Sequence, residues 1–158
     1  MAIYMKIDNV KGSVTTKGFQ DTIQLYSIHQ NGSRPVQHCV GMGNDREKGQ
    51  LNFDCIHISK GYDSATITLY DYFCSAKTIP TVQIYQCIIN NNPDWQIQYT
   101  LHNVLISNLS EYTTAEHTQE NLSLAYTKIE KGYKQQSSNG QFSSPSYTGY
   151  DLAQGSKL

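Results

Sequence analysis

Three segments of the chain alternate apolar and polar residues and then change the parity of the apolar positions. Residues 95–101 place an apolar side chain at every second position, and Val104 and Ile106 continue on the opposite parity; residues 51–58 and 122–129 repeat this behaviour. A period of two indicates β-strands, and a parity switch indicates a bulge or a strand shared between two sheets at a barrel corner. The sequence therefore predicts an antiparallel β-barrel or sandwich.

Further strands are predicted on both sides of these segments. Residues 3–7 alternate in the same way, and a turn through residues 11–13 separates them from a second predicted strand over residues 22–29. Residues 81–89 are apolar on both parities, which is typical of a strand that is covered on both faces.

Residues 62–77 support two interpretations. The run SATITLYDYF is rich in Thr, Ile and Tyr, which favours a strand. The alternative is a helix that begins at an N-cap of Asp63 or Ser64 and ends at Lys77, where a cation suits the helix dipole. Two rows at helical spacing support it: Ile67, Tyr70 and Cys74, and Leu69, Phe73 and Ala76. The residue pattern leaves both interpretations open.

Composition narrows the class of protein. The 158 residues suit one domain, only 38% of them are hydrophobic, and twelve are Tyr, whose rings suit a partner surface as well as a core. A net charge of -1 opposes self-association little. Arginine occurs only at positions 34 and 46, and no basic stripe is present, so we expect no nucleic-acid partner.

The sequence also predicts a compartment. No apolar run has the roughly 18 residues of a membrane span, and residues 1–10 alternate where a signal peptide would have an apolar core, so we expect synthesis in the cytosol without a cleaved signal peptide and no membrane insertion. Cysteines follow one another at intervals of 16, 19 and 13 positions, with no C-x-x-C pair. We therefore predict reduced core residues at Cys39, Cys55, Cys74 and Cys87.

No combination of residues predicts an active site or a cofactor. Cys55 and His57 would share one strand face and could join the pair His38 and Cys39 around zinc, but no zinc-knuckle spacing is present. The chain has no G-x-S-x-G, and residues 41–46 fit no phosphate-binding loop. Carboxylate pairs such as residues 116 and 120 are interpreted as solvated. We expect no enzyme, no metal and no cofactor.

Three long segments carry a resemblance to a known family. They are AIYMKIDNVKGSVTTKGFQDTIQL at the start, YTLHNVLISNLSEY from Tyr99, and ENLSLAYTKIEKGY from Glu120. Together they resemble the Hcp proteins (haemolysin-coregulated protein), the ring-forming tube subunits of bacterial type VI secretion. The resemblance covers most of the chain and is patchy between Tyr26 and Gln50.

The resemblance implies a fold and a function. It implies one β-barrel domain over residues 1–158 with its helix at about 62–77, and an ending in which a Gly-aromatic-Asp at 149–151 follows a loop. We expect the polar, Ser-rich interval 134–148 to be mobile. It further implies a structural subunit whose hexameric rings stack into a hollow tube. A contractile sheath would expel this tube, a VgrG spike would cap it, and small effector proteins would travel in its lumen to the extracellular space or a target cell.

The loop that the resemblance assigns to ring stacking contains adjacent charges of both signs between glycines. Its predicted members are Gly41, Met42, Gly43, Asn44, Asp45, Arg46, Glu47, Lys48 and Gly49. Mixed charges of this kind favour one register against a complementary surface. A freely solvated hairpin is the alternative.

Two other functions remain open at this stage. A bacteriophage tail-tube protein would share the barrel, the ring and the stacking. A monomeric carbohydrate-binding barrel is the second, because stacking surfaces could be supplied by Tyr62, Tyr70, Tyr72, Tyr85 and Trp95.

Overall fold

A computed structural model describes residues 1–41, 43–46 and 49–158. Within them the chain forms short and long antiparallel strands and one helix. In chain order these are β1 (Ala2–Ile7), β2 (Ile23–Leu25), β3 (Ser27–His29), β4 (Gly32–Ser33), β5 (Asn52–Phe53), β6 (Ile56–Lys60), α1 (Thr66–Cys74), β7 (Ile79–Ile88), β8 (Asp94–Thr113), β9 (Thr118–Ala125), β10 (Lys128–Tyr133), β11 (Ser146–Asp151) and β12 (Ser156–Lys157).

The 20-residue strand β8 belongs to two sheets. Up to Val104 it pairs with β7 and β10 in a large sheet of order β12-β11-β10-β8-β7-β1-β2, and from Leu105 it pairs with β9 in a small sheet of order β3-β6-β9-β8. Asn103 has a φ of 51°, and the β9 register shifts between Ile106 and Asn108. The parity switch predicted for this segment is therefore a strand shared between two sheets, with a bulge.

The two sheets do not close into one hydrogen-bonded barrel. β2 is an edge strand of the large sheet and β3 is an edge strand of the small sheet, and Tyr26 connects them along the chain. The N–H of Tyr26 donates to the Ser59 carbonyl oxygen over 2.7 Å. The predicted single strand over 22–29 is thus two strands, one in each sheet. The antiparallel, mainly β fold with one helix is confirmed.

Each of the other two parity switches coincides with the end of one strand and the start of the next. Residues 51–58 contain β5 and β6, which belong to different sheets, and residues 122–129 contain β9 and β10, which also do. A single strand over residues 50–59 was therefore the wrong expectation. The apolar side chains of both strands still point inward, because each new strand starts its own alternation.

The core lies between the sheets. It contains fully buried aliphatic side chains from both sheets and from α1, among them Met5, Ile23, Ile56, Leu69, Val82, Ile84, Leu101, Leu122 and Leu124. A smaller cluster on the other face of β1 contains Tyr4, Phe19 and Cys87. The connection that carries Phe19 over β1 passes so close to β2 that a Cβ at Gly12 would lie 2.1 Å from the Thr22 carbonyl oxygen.

The helix is shorter than predicted. It spans Thr66–Cys74 and not 62–77, and its N-cap position is Ala65, without a side-chain cap. Asp63 was expected at the N-cap; its carboxylate instead accepts a hydrogen bond from Ala65 N–H in the preceding turn, at 3.0 Å. Lys77 lies beyond the helix, with its Nζ 4.4 Å from the centre of the Tyr72 ring.

Two members of one predicted helical row face the core, and the third, Ala76, is exposed beyond the end of the helix. Leu69 is 1% exposed and Phe73 packs against the core, whereas Ile67 is 78% exposed. The row containing Ile67, Tyr70 and Cys74 therefore faces outward.

Residues 134–148 contain more local order than their composition indicates. Gln136 and Phe142 form an isolated bridge, and Ser146, Tyr147 and Thr148 belong to β11, which pairs with β10. Mobility of this interval stays a prediction.

We expect Leu69→Ala to lower the free energy of unfolding by about 2–5 kcal/mol, since it empties a core position. Ile67→Ala, two residues away on the exposed row, should change it by no more than about 0.5 kcal/mol. Urea unfolding at one fixed protein concentration measures both. Equal losses for the two variants would contradict the orientation of the helix.

Candidate functional site

The predicted ring-stacking loop extends from a two-stranded neck. Gly32 pairs with Phe53 and Ser33 with Asn52, so β4 and β5 hold the two ends of the loop together. Met42, Glu47 and Lys48 of the predicted site lie outside the described residues. The remaining members are all exposed: Gly41, Gly43, Asn44, Asp45, Arg46 and Gly49.

Backbone conformation shapes this loop. The N–H of Gln37 donates to the Arg46 carbonyl oxygen over 2.6 Å, which joins its two arms. Gly41 and Asp45 both have a positive φ, of 83° and 56°. The adjacent, oppositely charged residues Asp45 and Arg46 are both exposed in this loop, where a partner surface can contact them.

A cleft of about 340 Å³ lies beside the base of the loop. We call it the basic cleft. Its apolar floor includes Phe53, Tyr99 and Tyr150, and its rim includes Arg34, Lys131 and Lys157. The rings of Phe53 and Tyr150 lie 5.7 Å apart, and Lys131 Nζ is 5.1 Å from the centre of the Tyr99 ring.

The unequal width of the two sheets creates this cleft. The large sheet continues past β8 into β10, β11 and β12, whereas the small sheet ends at β8. Ile129 of β10 still belongs to the core, whereas the ring of Tyr150 on β11 also meets Phe53 of the hairpin of β4 and β5 at the edge of the cleft. Sequence reasoning missed the cleft, because the residues come from distant segments.

A buried ion-pair network anchors the start of α1. Lys60 and Glu120 are both 0% exposed, and Lys60 Nζ lies 2.5 Å from Glu120 Oε2. The same ammonium contacts Asp63 Oδ1 at 3.0 Å and donates to the Gly61 carbonyl oxygen at 2.8 Å. Thr66 Oγ1 donates to Glu120 Oε2 at 2.9 Å. The interpretation of Glu120 as a solvated carboxylate is therefore wrong.

A sequence signal for this network existed. Lys60 continues the inward parity of Ile56 and Ile58, and Glu120 continues that of Leu122 and Leu124. The two strands pair so that Lys60 lies directly opposite Glu120. Opposite charges on inward positions of paired strands indicate a buried ion pair, but only once the pairing is known. Glu120 Oε1 has no hydrogen-bond partner among the described residues.

The candidate zinc ligands do not assemble. His57 Nδ1 shares a 2.8 Å hydrogen bond with Ser123 Oγ, Cys55 Sγ lies 3.6 Å from Ser107 Oγ, and Cys39 Sγ accepts a hydrogen bond from Gln37 Nε2 over 2.9 Å. In the described part of the chain, no three side chains of His, Cys, Asp or Glu form a metal-binding group.

The four cysteines are free thiols, but they are not all core residues as predicted. Cys39 and Cys74 are exposed, Cys55 is half-buried and only Cys87 is buried. Burial, with a smaller contribution from the Asp94 carboxylate, raises the pKa of Cys87 to about 12. This thiol therefore stays protonated at neutral pH and is a poor nucleophile.

The aromatic residues proposed for carbohydrate stacking lie apart. Tyr62 and Tyr70 are each 47% exposed, on the turn before α1 and on α1 itself. Tyr85 and Trp95 instead pack together on the large sheet, with ring centres 6.5 Å apart, and burial raises the pKa of Tyr85. These rings do not form one platform.

Comparison with known proteins identifies the family. The family model described as type VI secretion system effector, Hcp, matches residues 4–133. The chain belongs to the Hcp family. Among curated proteins none matches the chain.

Solved structures have the same fold as this Hcp chain. A structure described as a type six secretion system protein superposes with a TM-score of 0.90 at 19% identity, covering 99% of both chains. Hcp1 from Salmonella typhimurium has a TM-score of 0.78 at 19% identity, covering 99% of this chain and 98% of its own. A type VI secretion system effector from Yersinia pestis has a TM-score of 0.75 at 19% identity, covering 94% and 98%.

Family membership defines the class of function. Hcp proteins are secreted structural proteins of type VI secretion and not enzymes. No helix within the described ranges is long and apolar enough to cross a membrane. The functional surfaces of this chain are therefore contact surfaces.

We expect Lys60→Met to lower the free energy of unfolding by about 3–5 kcal/mol, because it leaves the Glu120 carboxylate buried without a cation. The double variant Lys60→Met, Glu120→Leu should recover part of this loss, since no unpaired charge then remains at Glu120. Lys128→Met is the control: its Nζ lies 4.0 Å from Glu130 at the surface, and it should cost less than about 1 kcal/mol. Urea unfolding of all three tests the network, and a double variant no more stable than Lys60→Met alone would disprove it.

Proposed function

We propose that this Hcp chain is the tube subunit of a type VI secretion apparatus. Copies close into hexameric rings, the rings stack into a hollow tube, and a contractile sheath expels the tube with a VgrG spike at its tip. The subunit is made in the bacterial cytoplasm and leaves it as part of the tube. The observation that carries the proposal is the family match over residues 4–133, supported by the shared fold.

Open strand edges support ring closure. The small sheet ends at β3 on one side and at residues 105–113 of β8 on the other, and neither edge has a further strand partner among the described residues. Exposed edges are templates for pairing with another chain. The β3 edge of one copy and the β8 edge of the next would form a head-to-tail contact, which closes when repeated by rotation.

The chemistry of the small sheet suits an inner wall. In a ring closed through these edges, the narrower sheet lies at the smaller radius, and its outward face lines the hole. This face is polar and uncharged when the histidines are neutral, with Ser27, His29, His57, Asn121 and Ser123 on adjacent strands. A wall without fixed charge would pass effector proteins of either sign.

Light scattering of the purified protein should give a mass of about 107 kDa, six times the 17.8 kDa of one chain. Negative-stain images should contain rings with a central hole. A monomer mass at every concentration from micromolar to millimolar would overturn the proposal.

The exposed bend of the loop is proposed to contact the next ring. Asp45→Lys with Arg46→Glu exchanges two exposed charges without altering the net charge or the core, so folding and ring mass should be unchanged. A loss of about 0.5 kcal/mol per contact, repeated around a hexamer, sums to roughly 3 kcal/mol per junction, which weakens stacking more than a hundredfold.

Electron micrographs of the variant should therefore contain rings and few tubes. Asp8→Lys with Lys11→Glu exchanges charges on a different exposed connection and serves as the control. Tubes of wild-type length from the loop variant would exclude the loop from stacking, and dispersal into monomers would assign it to ring closure.

A further inference from the structure

The basic cleft is an apolar surface ringed by cations. Among the described residues that line it there is no Asp or Glu, whereas Arg34, Lys131 and Lys157 stand on its rim. Its floor is aromatic and aliphatic. A surface of this kind fits an acidic segment that also carries an aromatic side chain, because desolvated aromatic contacts supply affinity and rim charges supply orientation.

The turn between β8 and β9 has the complementary chemistry. It is exposed from Glu111 to His117, and Tyr112 within it is 61% exposed. Glu111 and Glu116 carry its charges and take part in no ion pair among the described residues, and no Lys or Arg occurs anywhere in residues 105–127. We call residues 111–117 the acidic tip. Strand alternation directs Glu111 and Tyr112 to opposite faces, so a partner surface that surrounds the tip would contact both.

The acidic tip and the basic cleft lie at opposite ends of the small sheet. Lys60 pairs with Glu120 at the end near the tip, whereas Ile56 pairs with Leu124 at the other end. The chain leaves β3 at that other end and enters the β4–β5 hairpin, which borders the cleft. Tyr99 and Tyr112 are about 40 Å apart along the bent strand, and the cleft and the tip lie at opposite ends of the small sheet, so the tip does not fill the cleft of its own chain.

We propose that the acidic tip of one copy inserts into the basic cleft of the next copy. Tyr112 packs on the aromatic floor, and Glu111 and Glu116 approach Lys131 and Lys157. The contact joins opposite ends of two copies, so it repeats along an axis instead of closing on itself in a pair. The inference rests on the proposed tube function and specifies which surfaces meet between stacked rings. The predicted ring-stacking loop lies at the same end of the subunit as the cleft.

Two charge reversals test the contact. The cleft variant is Lys131→Glu with Lys157→Glu, and the tip variant is Glu111→Lys with Glu116→Lys. In either variant alone the tip and the cleft carry the same sign, and stacking should fall at least tenfold while rings remain. In an equimolar mixture every cleft can meet a tip of opposite sign in an alternating stack, so the mixture should recover tubes.

The control is Lys6→Glu with Lys17→Glu. It changes the net charge by the same amount as the cleft variant, but both residues are exposed and lie outside the cleft. It should stack like the wild type. Sedimentation and negative-stain images measure rings and tubes separately. Any of three results would overturn the contact: tubes from both variants alone, no recovery in the mixture, or dispersal of the variants into monomers. Ring formation itself is judged from the wild type.

Wild-type protein provides a second readout that needs no long tubes. A carbodiimide joins a carboxylate to a lysine amine only when the two are in contact, and a mixture of isotope-labelled and unlabelled chains distinguishes links between copies from links within one. We expect mixed-isotope peptides that connect Glu111 or Glu116 with Lys131 or Lys157. Their absence from a sample that contains tubes would disprove the proposal, and a wild type that stays monomeric would disprove the tube function with it.

Discussion

The fold depends on one strand that cannot satisfy its hydrogen bonds within a single sheet. β8 is 20 residues long, about twice the length of its neighbour β7, and a flat strand of that length would leave many backbone groups without partners. The bend at Asn103 and the register shift before Asn108 let its second half pair with β9. Both sheets, and hence the core between them, follow from this bend. It also leaves residues 105–113 as one of the two edges through which copies are proposed to pair.

The helix is held to this framework by apolar packing and by a buried charge network. Leu69 enters the core, while Thr66 and Asp63 contact the pair of Lys60 and Glu120. Buried ion pairs rarely add stability over apolar residues of similar volume, because desolvation offsets most of the attraction. Their effect here is positional: removing either partner leaves a charge without compensation, so only one placement of the helix start satisfies the network.

Unequal sheets leave surfaces that a single chain does not cover. The large sheet extends beyond the small one, and the hairpin of β4 and β5 covers only part of the excess. The chain thus carries an apolar cleft with a cationic rim at one end and an acidic turn with an exposed Tyr112 at the other. A nearly neutral protein can combine such local charges with self-association, since long-range repulsion between copies is small.

The sequence by itself determined the class of fold, the absence of a recognisable active-site motif and the resemblance to Hcp, because alternation with period two and long matching segments are local properties. It also located the bend in β8, since Leu101 and Val104 lie on opposite parities but both belong inside. Tertiary structure alone decided the length of the helix, the burial of Glu120 and the position of the cleft. Each of these depends on which strands are neighbours: Glu120 is solvated or buried according to whether Lys60 lies opposite, and Phe53 meets Tyr150 only when two sheets of unequal width are stacked. Pairing between distant segments is a long-range property that local pattern does not encode.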